Sequence, residues 1–207
     1  MGLFQKGRSR TWLDDHGWWV CVVEFQPSGW SRGSYLNVGC MWLWCEKGYL
    51  SFDEGSRVES FSKFQDHEQF ENEALRLAVR AAEEVERYRL LFPTVRRVCE
   101  FYLERPVMAP GHWQNFHAAV ACAMAGKPDD AVRFFDQFLV PQIDGPEWLI
   151  LAQADAQRLK ELSAHTVEFR AAVAGRVRRA RELQKLPPSM VVDFDIATRN
   201  WENQDRK

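Results

Sequence analysis

The sequence predicts an α+β fold: an N-terminal antiparallel meander of three or four strands packed against a C-terminal set of five or six helices. Three observations carry that reading. Up to residue 64 the apolar residues alternate with polar ones, at the two-residue period of a half-buried strand. From residue 65 they recur every three to four residues, the period of an amphipathic helix. The linkers between successive strand segments are short and rich in Asp, Gly, Ser and Pro, which favours hairpins and therefore antiparallel pairing.

The elements follow in order. Arg8 to Leu13 is a short strand. Trp18 to Gln26 is a stronger one, with Trp19, Cys21, Val23 and Phe25 on one face. Tyr35 to Trp44 is the third, with Leu36, Val38, Cys40, Trp42 and Trp44 together. Lys47-Gly48 punctuates, and Tyr49 to Phe52 is the segment for a fourth strand. Asp14-Asp15-His16-Gly17 and Pro27 to Gly33 are the turns. Asp66 followed by Gln69 reads as an N-cap with its capping-box partner. The long helix that follows, 67–92, carries Phe70, Leu77, Ala81 and Tyr88 on the stripe expected to meet the sheet, and Pro93 ends it. Further helices are expected at Val95 to Leu103, His112 to Ala125, Asp129 to Leu139, Pro146 to Leu162 and Ala164 to Leu186. Ala118 to Phe138 reads as an αα-hairpin resembling one tetratricopeptide unit, without a second copy at the 34-residue period of such repeats. The organisation expected is a single α+β domain over residues 1–186 and a C-terminal tail over 187–207. Within the domain, residues 1–64 form the sheet and residues 65–186 the helices. Met190 to Ile196 within the tail would dock as an edge strand or clamp.

Composition bounds the function. The chain has 207 residues, 46% hydrophobic, with a net charge of −2. That balance argues against a generically basic nucleic-acid binder, and 14 Phe with 9 Trp argues against wholesale disorder. No apolar run approaches the length of a membrane span, and the first residues lack the apolar stretch of a signal peptide, so a cytoplasmic protein without membrane association is expected. Five cysteines without a C-x-x-C pair read as reduced thiols. His112 and His117 point about 140° apart on a helix, and His67-Glu68 lacks the second histidine of a zincin. No metal site and no cofactor are expected.

The N-terminal third resembles a bacterial domain family of unknown function. The resemblance rests on Lys6-Gly7-Arg8 with Trp12, on Phe25-Gln26-Pro27-Ser28-Gly29-Trp30, and on Tyr35-Leu36-Asn37-Val38-Gly39, and it covers residues 4–44. It implies a small antiparallel sheet backed by helices and carries no activity. Similar chains usually begin with a helix before the first strand, whereas this sequence starts almost at the strand.

Three constellations compete as sites. Alternation brings Arg10, Trp12, Glu24, Gln26, Tyr35 and Asn37 toward one polar sheet surface beside Trp30, a surface suited to gripping a partner; the structural alternative is a cross-strand Glu24–Arg10 pair on a solvent face. Trp12, Trp18 and Trp30 fall outside the face that Trp19, Trp42 and Trp44 share, so they mark an interface, with the chain's own helices or with a partner. Arg178, Arg181 and Lys185 form a basic stripe, either a phosphate contact or the solvated face of an amphipathic helix. Gly29-Trp30-Ser31-Arg32-Gly33 matches G-x-S-x-G, but a strand follows where a nucleophile elbow needs a helix. The reading that ranks first is a non-catalytic protein-binding module, in one version an immunity or inhibitor protein, whose partner is another protein. A small hydrolase using Ser31, Glu24 or a histidine, and a nucleic-acid-associated protein using the 170–185 helix, are the alternatives.

Overall fold

The computed structural model describes residues 2–141, 146–188 and 193–195. The order is β1 (Phe4–Gln5), β2 (Thr11–Asp15), β3 (Trp19–Pro27), β4 (Gly33–Trp42), β5 (Glu54–Lys63), then α1 (His67–Leu91), α2 (Val95–Leu103), α3 (Trp113–Met124), α4 (Pro128–Leu139), α5 (Glu147–Leu162) and α6 (Thr166–Gln184). The fold is α+β, with a five-stranded antiparallel sheet in the order β1-β2-β3-β4-β5. The strand count exceeds the expected three or four. Tyr49 to Phe52 is not a strand; the chain pairs with β4 later, through β5. That segment has only Val58 and Phe61 as large apolar residues, because it is an edge strand with much of its surface in water. β1 is two residues long and leaves no periodic trace.

The chain divides into two compact units, and α6 contributes to both. The first holds the residues up to Leu91 and the described segment Arg179 to Pro188. Its core is the sheet face that α1 covers. Leu77, Ala81, Val85 and Tyr88 of α1 are buried there, as the helical stripe predicts, and Phe70 is half-buried. The Asp66 carboxylate accepts the Gln69 N–H at 2.8 Å, while the Gln69 side-chain oxygen accepts the N–H of Gln65 at 3.1 Å, one residue earlier than in a strict capping box.

β3 and β4 are buried on both faces over Trp19–Val23 and Val38–Trp42. Trp18 is covered by the chain itself, one of the two alternatives for it, but not on the face opposite Trp42 and Trp44: it is fully buried, its ring stacked on Trp42 at 5.9 Å and on Trp44 at 5.7 Å. Stacked indoles bury large flat surfaces at the strand ends and gain beyond area alone.

The polar turn between β2 and β3 is also largely buried. The Arg89 guanidinium donates to both oxygens of Asp14, at 2.8 and 2.7 Å, and His16 Nε2 lies 2.6 Å from the same carboxylate. Arg181 grips Asp15 with two 2.7 Å bonds and donates to the Gly17 carbonyl at 2.8 Å. The end of α6 is thereby tied to the sheet within the first unit.

The second unit is helical, from Phe92 to Arg178 with Phe194. α3 lies at its centre, with Asn115 to Met124 all buried. Asn115 is satisfied there: its amide donates to the carbonyls of Met108 and Ala109 and its oxygen accepts the Met108 N–H. α3 and α4 form the expected αα-hairpin, turning at Gly126. The expected docking segment Met190 to Ile196 lies mostly outside the described residues. Within it, Phe194 is buried and its carbonyl accepts the Val95 N–H at 2.9 Å. No helix among the described residues is long and apolar enough to cross a membrane.

Candidate functional site

Strand register sorts the expected sheet residues onto two faces. Directly paired residues of an antiparallel sheet share a face. Glu24 pairs with Asn37 and Gln26 with Tyr35, so these four do converge. β5 adds Arg57, opposite Asn37. The Asn37 amide donates to Glu24 at 2.9 Å and to Gln26 at 3.0 Å, and Arg57 donates to Gln26 at 3.3 Å. The Arg57 guanidinium lies 3.8 Å from the centre of the Tyr35 ring, and Phe61 packs beside that ring at 5.2 Å. Glu24, Gln26 and Asn37 hold one another, and Arg57 packs on Tyr35, so the face is a preorganised polar surface.

Arg10 and Trp12 do not belong to it. Trp12 pairs with Val23, on the same side as Phe25, and its ring meets Phe25 edge-on at 5.4 Å. Glu24 is opposite Thr11, so the expected Glu24–Arg10 pair does not form. The sequence placed Arg10 and Trp12 together correctly, but on the wrong face, because alternation gives no register between strands.

The basic stripe fails for a different reason. Arg181 is 4% exposed and held by Asp15, so it is a structural cation, not part of a surface. Arg178 and Lys185 are exposed, but Lys185 lies beyond the last residue of α6 with φ 54°, off the helical stripe. Helical spacing groups such residues; it does not say that one of them turns inward to a carboxylate contributed by β2.

The structure brings forward the end of the sheet where β3 turns into β4. Trp30 stands at the loop tip, 99% exposed. The loop is ordered from within. The Ser28 hydroxyl accepts the N–H groups of Trp30 and Ser31, at 3.2 and 3.4 Å, and the Arg32 carbonyl accepts the Phe64 N–H at 2.9 Å. Gly33 closes it at φ 150°, where a Cβ would stand 2.3 Å from the Ser62 carbonyl oxygen, so only glycine fits.

Beneath this loop lies a cavity of about 560 Å³. Phe25, Phe64, Phe70 and Leu77 give it an apolar wall, and Arg10, Arg32, Ser31 and His67 give it polar groups. Among the described residues no carboxylate lines it. Arg32 lies 5.7 Å from the Phe64 ring centre, and His67 meets the same ring edge-on at 5.5 Å. Ser31 and His67 line the same cavity, yet no hydrogen bond joins them, and β4 follows Ser31 within two residues. Sequence reading missed this cavity because it depends on β3, the β3–β4 loop, the approach to α1 and α1 itself meeting. The traces it left were Arg10 and Ser31, each conspicuous for another reason.

Compared with known proteins, the chain matches no family model, no curated protein and no solved structure.

Proposed function

We propose that this chain is a non-catalytic binding protein that recognises another protein through the β3–β4 end of its sheet. The observation that carries the reading is Trp30, a full indole held in water at the tip of an ordered hairpin. Leaving such a side chain exposed has a solubility cost, and tryptophan and arginine dominate the energetics of protein interfaces when a partner covers them. Arg8, Arg10 and Arg32 are exposed near the same end, so the partner surface that fits it is acidic, with a cleft for one indole. The preorganised face of Glu24, Gln26, Tyr35, Asn37 and Arg57 supports the reading as a rim that needs little ordering on binding. An inhibitor-like protein is one concrete form of such a module.

The test is affinity capture from extract of the native cell, comparing the wild-type chain with Trp30→Ala. The expected result is a partner retained by the wild type and lost, by at least tenfold, in the variant. The Tm of the variant should stay unchanged because the side chain packs on little. Equal capture by both chains would overturn the reading.

A further inference from the structure

We propose that the cavity under the β3–β4 loop is a binding site for an amphipathic carboxylate: an organic acid with a hydrophobic body and one anionic end. The inference goes beyond partner binding and stands whether or not Trp30 meets a protein.

Size is the first argument. A volume of about 560 Å³ falls within the range of small-molecule sites, roughly 300–1,000 Å³. The second argument is the chemistry of the lining. Three phenyl rings and Leu77 offer apolar surface that gains only when water leaves it. A small, strongly hydrated anion would leave that surface wet, and a neutral hydrocarbon would leave the cationic side unused.

The third argument is the state of the two arginines. In the first unit Arg76, Arg80, Arg87, Arg89, Arg179 and Arg181 find carboxylates, while Arg8 and Arg57 make no ion pair among the described residues and do not line the cavity. Arg10 and Arg32 make no ion pair and no side-chain hydrogen bond among the described residues, and both line the cavity. A guanidinium fork matches the two oxygens of a carboxylate. Ser31 adds a hydroxyl on the same lining. The site therefore selects for the acid end at Arg10 and Arg32 and for the chain or ring against Phe25, Phe64 and Phe70.

Isothermal titration of the full chain with decanoate, decanol and decyl phosphate tests this. Decanoate is expected to bind at least tenfold more tightly than decanol, and more tightly than decyl phosphate. The double variant Arg10→Ala/Arg32→Ala should erase the preference over decanol, leaving decanol binding itself unchanged. Both side chains are exposed, so the variant keeps its fold, which an unchanged Tm verifies. Ala74 also lines the cavity and is exposed, so Ala74→Trp should fill the space and abolish binding of all three ligands. The proposal is overturned if decanoate binds no better than decanol, if the double variant binds decanoate as wild type does, if Ala74→Trp leaves binding intact, or if decyl phosphate is preferred.

Discussion

Asp14 shows at the scale of one residue how a buried charge is made tolerable. Burial by itself would raise its carboxyl pKa, but hydrogen bonds from His16 and Arg89, with their charges, overcome that and hold it well below the ordinary carboxylate range. Because the native value is depressed, the carboxylate stabilises the fold at pH values above its unfolded pKa near 4, and that contribution drains away as pH falls toward the native value. Urea midpoints measured from neutral to acid pH should therefore decline below about pH 4 in the wild type. Asp14→Asn should flatten that section of the decline and lower stability at neutral pH by about 3 kcal/mol, since Arg89 is 8% exposed and loses its bidentate partner. An equally steep acid decline in the variant would assign the acid sensitivity to other carboxylates. Tyr88 has the simpler case: burial first, with Cys40 adding to it, pushes its phenol up to about 12.

The decisive event for the elements is the approach of β4 and β5. Gly39 and Gly55 are paired opposite each other, and a Cβ built on Gly55 would lie 2.4 Å from the Gly39 Cα and 3.1 Å from the Tyr88 hydroxyl. The two strands and α1 close together because neither glycine has a side chain. Gly55 also adopts φ 140°, which an L side chain rarely adopts. Gly55→Ala should thus destabilise by about 1–3 kcal/mol, read as a shift in urea midpoint, as overpacking and strain combine. A variant as stable as the wild type would mean that the β5 edge yields freely. Cys21 and Cys40, partners across β3 and β4, sit under the same helix, and burial pushes the Cys40 thiol up, which keeps it inert as a nucleophile.

The unit that holds the sheet is not continuous in sequence. It needs residues 1–91 and also the segment from Arg179, whose Arg181 reaches Asp15 and whose Gln184 donates to the carbonyls of Lys47 and Tyr49. Arg181→Ala should then cost about 3 kcal/mol, because it strands a carboxylate that is only 10% exposed. A chain ending at residue 178 should lose the sheet's cooperative unfolding, followed by near-ultraviolet circular dichroism of the stacked indoles. Retention of that signal and its midpoint would show that the segment from Arg179 is not required for the sheet.

Local periodicity and capping specify part of this molecule without any tertiary contact. The α+β class, β2 to β4 as a meander, the α1 stripe of Leu77, Ala81 and Tyr88, and all six helices within a few residues of their ends were legible, because each is written in side-chain spacing over a short window. Four members of the polar sheet face, Glu24, Gln26, Tyr35 and Asn37, were legible for the same reason. Tertiary structure alone decided the rest. Register moved Arg10 and Trp12 to the other face. The polar edge strand β5 became visible only by pairing with β4. Trp18 went inside because Trp42 and Trp44 made a stack to receive it, and Arg181 left the basic stripe because β2 presented Asp15. In each case the deciding partner lies far away in sequence, and the energy of the contact depends on distances that periodicity does not encode.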